Sequence, residues 1–195
     1  MSQVPTLEQL PNEVFRDYDI RGLAYTQITT EFAARFGTAL AIMFKGKNHN
    51  TIYVGRDCRL NSEDLSIALC QGLLNQGMDV IDLGAVSTPV VNYSIHCGDQ
   101  ADLGIMITAS HNPKQYNGFK VVVRDEVIDG DTLQKLKQLM HLSSPKPAQM
   151  GQLKTVDMSK SYLDAITQNC NAKNHFKIVV DAGNAVPGPL AEQLF

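Results

Sequence analysis

From residue 30 to residue 45 the apolar side chains Phe32, Phe36, Leu40 and Met43 or Phe44 recur every three to four positions. That is the spacing of one helix face, and Gly46 supplies a stop. The period then changes. Residues 51–55 are short and β-rich and run into the polar stretch Arg56-Asp57-Cys58-Arg59, which predicts a strand ending in a loop. Asn61 or Ser62 opens a helix with Glu63 and Asp64 in its first turn, Leu65, Leu69 and Leu73 on its buried stripe and Gly77 at its end. A second strand is predicted over 78–84. Thr88-Pro89 reads as an N-cap followed by proline at the first position of a helix reaching about Cys97. The third strand, 102–109, is nearly all apolar, as a sheet covered on both faces requires. A fourth is predicted over 118–125. Strands alternating with helices predict an α/β fold: a three-layer α/β/α domain around a mixed, mostly parallel, four-stranded sheet. Only about ten residues join the third and fourth strands, short of the dozen or more that a parallel crossover needs, so the fourth is expected to be antiparallel.

Outside that pattern the signals thin out. Residues 13–22, EVFRDYDIRG, mix aromatic and charged side chains and predict a short extended or hairpin segment. The DGD run at Asp129–Asp131 looks like a metal motif, but it leads into a helix bearing Leu133, Leu136 and Leu139 or Met140, with Asp131 as the expected N-cap. Proline and serine cluster over 142–151 and apolar periodicity lapses, which marks a boundary between residues 1–150 and 151–195. A helix is predicted from Ser159 to about Cys170, then a strand, a glycine turn and the start of a helix over 175–195. One βα unit cannot bury both of its faces, so the expectation is one domain followed by an incomplete second α/β domain.

Composition narrows the class without changing the fold. The chain has 195 residues, 44% of them hydrophobic and 19% charged, enough for a proper core. A formal net charge of -3 with both signs interspersed argues against a nucleic-acid partner or a membrane surface. No apolar run approaches the roughly 20 residues of a membrane-spanning helix. The first fifteen residues lack a basic segment followed by an apolar one, so the expected location is cytoplasmic. Four widely spaced cysteines without a CxxC pair read as reduced, partly buried thiols, and the histidines show no metal-ligand spacing.

Residues 107–120, ITASHNPKQYNGFK, carry the candidate chemistry. In an open α/β sheet ligands sit beyond the carboxyl ends of the strands, and Ser110 is placed there. No G-x-S-x-G elbow surrounds it and no base and carboxylate partner is placed for it, which argues against an acyl-transferring hydrolase. Asn112, Asn117 and backbone N–H groups could instead hold an oxyanion, and Lys120 opens the next strand. Such surroundings suit a phosphoryl group on Ser110, carrying roughly -1.5 to -2 charges at neutral pH. A loop merely stabilised by Ser and Asn turns accounts for the same residues equally well. Arg56, Asp57 and Arg59 read as ion pairs fixing the loop after the first strand, and Asp181 and Asn184 as structural.

Taken together, TASHNP (108–113) and YNGFK (116–120) resemble the active-serine loop of the α-D-phosphohexomutases. FRDYDIRG (15–22), VGRDCRLNS (54–62) and VDAGNAVPG (180–188) resemble further motifs of that family in the same order, covering nearly all of the chain. The start and the serine loop are similar to the phosphomannomutase/phosphoglucomutase branch rather than the phosphoglucosamine branch. The resemblance implies an enzyme that moves phosphate between C1 and C6 of a hexose, mannose or glucose, through a phosphoserine and a hexose 1,6-bisphosphate. It implies Ser110 as the phosphorylated residue and Lys120 as general acid/base. His111 and Arg21 would stabilise charge, and Tyr18, Asn112 and Asn117 would bind the phosphosugar. Mg²⁺ would be held through the phosphate of Ser110, its remaining ligands lying in a DGDxDR loop expected beyond Phe195. Ala185 stands where the family usually has glycine. The sequence is thus expected to be the N-terminal part of a longer enzyme, inactive alone. The alternative is a non-catalytic phosphosugar-binding fragment that keeps the fold.

Overall fold

The computed structural model describes residues 11–45, 47, 49–142, 149–168, 170 and 176–195. Gly46, residues 143–148 of the Pro/Ser stretch and His175 lie outside the described residues. A 3-10 turn, Asn12–Val14, leads into β1 (Ile20–Leu23), followed by α1 (Thr30–Lys45), β2 (Thr51–Arg56), α2 (Ser62–Asn75), β3 (Asp79–Ala85) and α3 (Thr88–Cys97). Then come β4 (Leu103–Ile107), β5 (Tyr116–Val123), α4 (Gly130–Leu139), β6 (Leu153–Thr155), α5 (Ser159–Thr167) and α6 (Pro187–Leu194). The strands form one sheet in the order β1-β5-β4-β2-β3-β6. β2 pairs in parallel with β3 and β4, and β6 in parallel with β3. β5 alone is reversed, antiparallel to β4 and to β1, as the short connection before it requires.

Alternation along the strands builds two cores. Ile52 and Val54 of β2, Leu103, Ile105 and Ile107 of β4, and Phe119 and Val121 of β5 face one way. They meet Phe32, Phe36, Leu40 and Phe44 of α1, Leu65, Leu69 and Leu73 of α2, and Leu133 and Leu136 of α4. The Phe36 and Phe119 ring centroids stand 5.2 Å apart, fastening α1 to β5. On the other face Tyr53, Ile81, Leu83 and Met106 meet Val90, Val91 and Ile95 of α3. α5 extends that layer, with Tyr162 edge-on to Tyr93 of α3. All five residues of β4 are buried, which is why that segment shows no polar alternation.

The sheet has six strands, not four. β1 escapes a periodicity reading because its four residues, IRGL, fall inside a charged motif. β6 escapes it because all three of its residues are exposed and backbone pairing with β3 alone defines it. The strand expected near residue 175 does not form. Residues 176–180 pair with no described strand, and Phe176, Ile178, Val179 and Val180 stay exposed. A ladder needs a neighbour, and this run has none. Two caps move by one or two positions. Asp129, not Asp131, accepts from Thr132 N at 2.8 Å, and Ser87, not Thr88, precedes α3 with Pro89 in its first turn. α5 ends at Thr167, short of Cys170.

Candidate active site

Residues 108–115 join β4 to β5 where the carboxyl end of β4 reaches the rim of the sheet. Ser110 sits in that loop, exposed, with φ 56, a left-handed backbone that L-residues rarely adopt. Several bonds hold it there. Ser110 N donates to Thr108 Oγ1 at 2.9 Å, and Asn112 donates to Ala109 O through both its backbone N (3.0 Å) and Nδ2 (2.8 Å). Arg59 is the clamp. Its Nη2 donates to the carbonyls of Ser110 (2.9 Å) and Asn112 (2.8 Å), and its Nη1 to those of Pro113 (2.9 Å) and Tyr116 (3.1 Å). Arg59 Nε donates to Asp57 Oδ2 at 3.0 Å, and the Asp57 carboxylate also accepts from Thr108 Oγ1 (2.7 Å) and Ser62 Oγ (2.5 Å). The polar run after β2 therefore fixes the serine loop after β4. Arg56 turns instead to Glu63, at 3.5 Å.

Nδ1 of His111 lies 3.3 Å from Ser110 Oγ, so the imidazole is in reach of any group carried by that oxygen. Asn117 is different. It is fully buried, its Nδ2 donates to Asn61 Oδ1 and Ser62 Oγ at 2.9 Å each, and its Oδ1 accepts from Gly118 N at 2.8 Å. Its side chain ties the start of β5 to the start of α2, leaving no free group for a ligand.

A second cluster lies along β1 and β5. Asp19 Oδ2 accepts from Arg21 Nη2 at 2.5 Å and from Lys120 Nζ at 3.3 Å, and Lys120 Nζ lies 5.6 Å from the centre of the exposed Tyr18 ring. Sequence reasoning named Tyr18, Arg21 and Lys120 but passed over Asp19, whose side chain is 3% exposed. The available signal was its place two positions before Arg21, the spacing that puts two side chains on one face of an extended chain.

Neighbouring strands of the sheet carry the two clusters. Lys120 pairs across the ladder with Met106, and Met106 lines a cavity of about 870 Å³ that also contains Ser110 and Asn112. Tyr25, Cys58, Arg59, Ser87, Thr88 and Pro89 line the same cavity, as do Val186 and Pro187 at the start of α6. Tyr25, held at φ 66, was not anticipated; it sits in a turn where no hydrophobic period points to it. Tyr18, Arg21, His111, Asn117 and Lys120 are not on the cavity lining. Of the four free cysteines only Cys70 is buried, its thiol pushed up to about 12 chiefly by that burial. Cys58, Cys97 and Cys170 are exposed, more open than their reading as partly buried thiols. Among the described residues no group of three or more His, Cys, Asp or Glu side chains is arranged to hold a metal ion, the DGD run included. No helix among them is long and apolar enough to cross a membrane.

A family profile described as phosphoglucomutase/phosphomannomutase, alpha/beta/alpha domain I, matches residues 12–145. A phosphomannomutase/phosphoglucomutase of Pseudomonas aeruginosa is 36% identical over 193 residues, 99% of this chain and 41% of that protein. A phosphoglucomutase of Neisseria meningitidis serogroup B is 33% identical over 192 residues, 97% of this chain and 41% of its own length. The crystal structure of a phosphoglucomutase/phosphomannomutase family protein from Burkholderia thailandensis superposes with a TM-score of 0.88 at 34% identity, covering 95% of this chain and 42% of that one. The chain spans about two fifths of the length of the curated relatives it matches.

Proposed function

Because the chain belongs to the phosphoglucomutase/phosphomannomutase family, we propose that it carries the phosphate-accepting serine of an intramolecular phosphotransferase, Ser110, acting on mannose or glucose monophosphates. The observation that carries this reading is the clamped loop. A serine is held exposed in a left-handed turn by carbonyl bonds from Arg59, with His111 beside its oxygen, at the mouth of a cavity large enough for a phosphosugar. Phosphoryl transfer asks the protein for positioning and charge stabilisation more than for an activated nucleophile.

In this reading the bond from phosphorus to the Ser110 oxygen breaks as one to the sugar hydroxyl forms. The proton of that hydroxyl passes to Lys120 in its neutral amine form, and the leaving serine oxygen takes one from His111, 3.3 Å away, so the proton count is unchanged. The hexose 1,6-bisphosphate turns round and the steps run in reverse through its other phosphate. Arg21 and His111 offset the developing negative charge, and Tyr18 and Asn112 shape the approach. Asn117 supports the loop from behind through its bonds to Asn61 and Ser62. Mg²⁺ would neutralise charge on the transferring group, but the described residues offer it no ligand cluster beyond the phosphate that Ser110 would bear.

Incubating the full-length gene product with glucose 1,6-bisphosphate and mapping the phosphopeptide tests the proposal. Label is expected on Ser110. Ser94 is buried with its hydroxyl donating to Val90 O, so it is no competitor. Ser87 lines the same cavity and is the real rival, and label there would overturn the assignment. Saturable binding of the bisphosphate with no label anywhere would leave a phosphosugar-binding module instead.

A further inference from the structure

In the β1–β5 ladder Ile20 stands opposite Phe119 and Arg21 opposite Gly118; carried one residue beyond β1, that register sets Asp19 opposite Lys120, in keeping with the 3.3 Å contact between them. Strand alternation puts Asp19, Arg21 and Lys120 on one face. Gly118 keeps the two strands close, since a Cβ there would come within 2.0 Å of the Ile20 carbonyl oxygen. The result is a buried carboxylate with two cations on a single oxygen. Its other oxygen, Oδ1, is also buried and has no hydrogen-bond partner among the described residues. Buried carboxylate oxygens are ordinarily satisfied, so a bare one calls for a reason.

We propose that Asp19 is a positioning residue for phosphoryl transfer. Arg21 and Lys120 carry like charges on neighbouring strands and would part without a shared anion between them. Asp19 holds them as one unit and pins Lys120 Nζ between a carboxylate and the Tyr18 ring. The spacing between the proton-handling amine and the phosphate-facing guanidinium is then set by the ladder rather than by two long, flexible side chains. Asp19 itself touches neither Ser110 nor the transferred group. The inference rests on the reading of Ser110 and Lys120 given above.

Asp19→Asn keeps the shape and removes the charge. In the full-length gene product, single-turnover labelling of Ser110 by glucose 1,6-bisphosphate is expected to slow by about 10- to 100-fold at saturation. The concentration giving half-maximal rate should change by less than about threefold, because Asp19 touches no phosphate itself and misplacing Lys120 is felt in the transfer step. A role confined to stability would lower the melting temperature and leave the saturated rate at wild-type level well below it. That result in the folded Asn variant overturns the proposal. Should the Asn variant not fold, Asp19→Glu keeps the charge but moves it one methylene, and the same slowing is expected. A wild-type rate there is equally fatal. Unlabelled wild-type protein would remove the reading of the site itself, whereas labelled wild type with an equally fast variant removes only the role of Asp19.

Discussion

Ser110 occupies a backbone conformation that costs a residue with a Cβ about 1–2 kcal/mol. Its side-chain oxygen meets His111 in an exposed contact. Ser110→Gly therefore relieves the strain and loses little packing. Once glycine's extra freedom in the unfolded chain is set against that gain, about 0.5–1 kcal/mol of stabilisation should remain. For a chain of this length the melting temperature should rise by roughly 1–4 °C, while the proposed phosphate acceptor disappears. Paired melts of wild type and variant check this, and a lower melting temperature for the glycine form would show that the turn is not strained. The position of Ser110 was legible in the sequence because an apolar strand stops just before it. The roles of Arg59 and Asp19 were not. Arg59 reaches carbonyls 51 to 57 positions away, and Asp19 meets Lys120 across 101 positions. Such bonds exist only after β2 has met β4 and β1 has met β5, and no local spacing encodes them.

At the scale of elements, the contact between α1 and α2 turns on two glycines. A Cβ on Gly37 would fall 2.2 Å from Leu69 O, and one on Gly72 would fall 2.1 Å from Ala34 O. Both obstacles are helix backbone and cannot swing aside. Helix propensity alone favours alanine over glycine by about 1 kcal/mol in a helix interior, so local and tertiary terms predict opposite signs for Gly37→Ala. The tertiary term should win, because separating α1 from α2 also loosens Phe36, Leu40, Leu69 and Leu73 in the core they share. A net loss of about 1–3 kcal/mol is expected, measurable as a drop in the urea midpoint at unchanged slope. Unchanged or increased stability would mean that the helices can part at little cost. The helices themselves were readable, α1 to its first residue, since their stripes follow a 3.6-residue period. The crossing was not, since an interior glycine looks the same in sequence whether it faces solvent or another backbone.

Across the whole molecule, the α/β/α layering and the reversed β5 followed from strand pattern and loop length. The outer strands did not, because β1 is written in charged motif residues and β6 in exposed ones. The expectation of a strand after residue 175 failed for the complementary reason: the run has strand character but no neighbour to pair with. That run is expected to govern how residues 1–195 behave in a storage tube. Phe176, Ile178, Val179 and Val180 form a bare β-prone segment with Lys177 as its one charge. Two molecules meeting there can satisfy each other's backbones edge to edge. Concentrated solutions are therefore expected to thicken into reversible oligomers, seen as apparent mass rising with concentration in light scattering. Val179→Lys, at a side chain 89% exposed, should hold the mass constant without altering the melt. Equal self-association in that variant would mean that the molecules find each other through a different face.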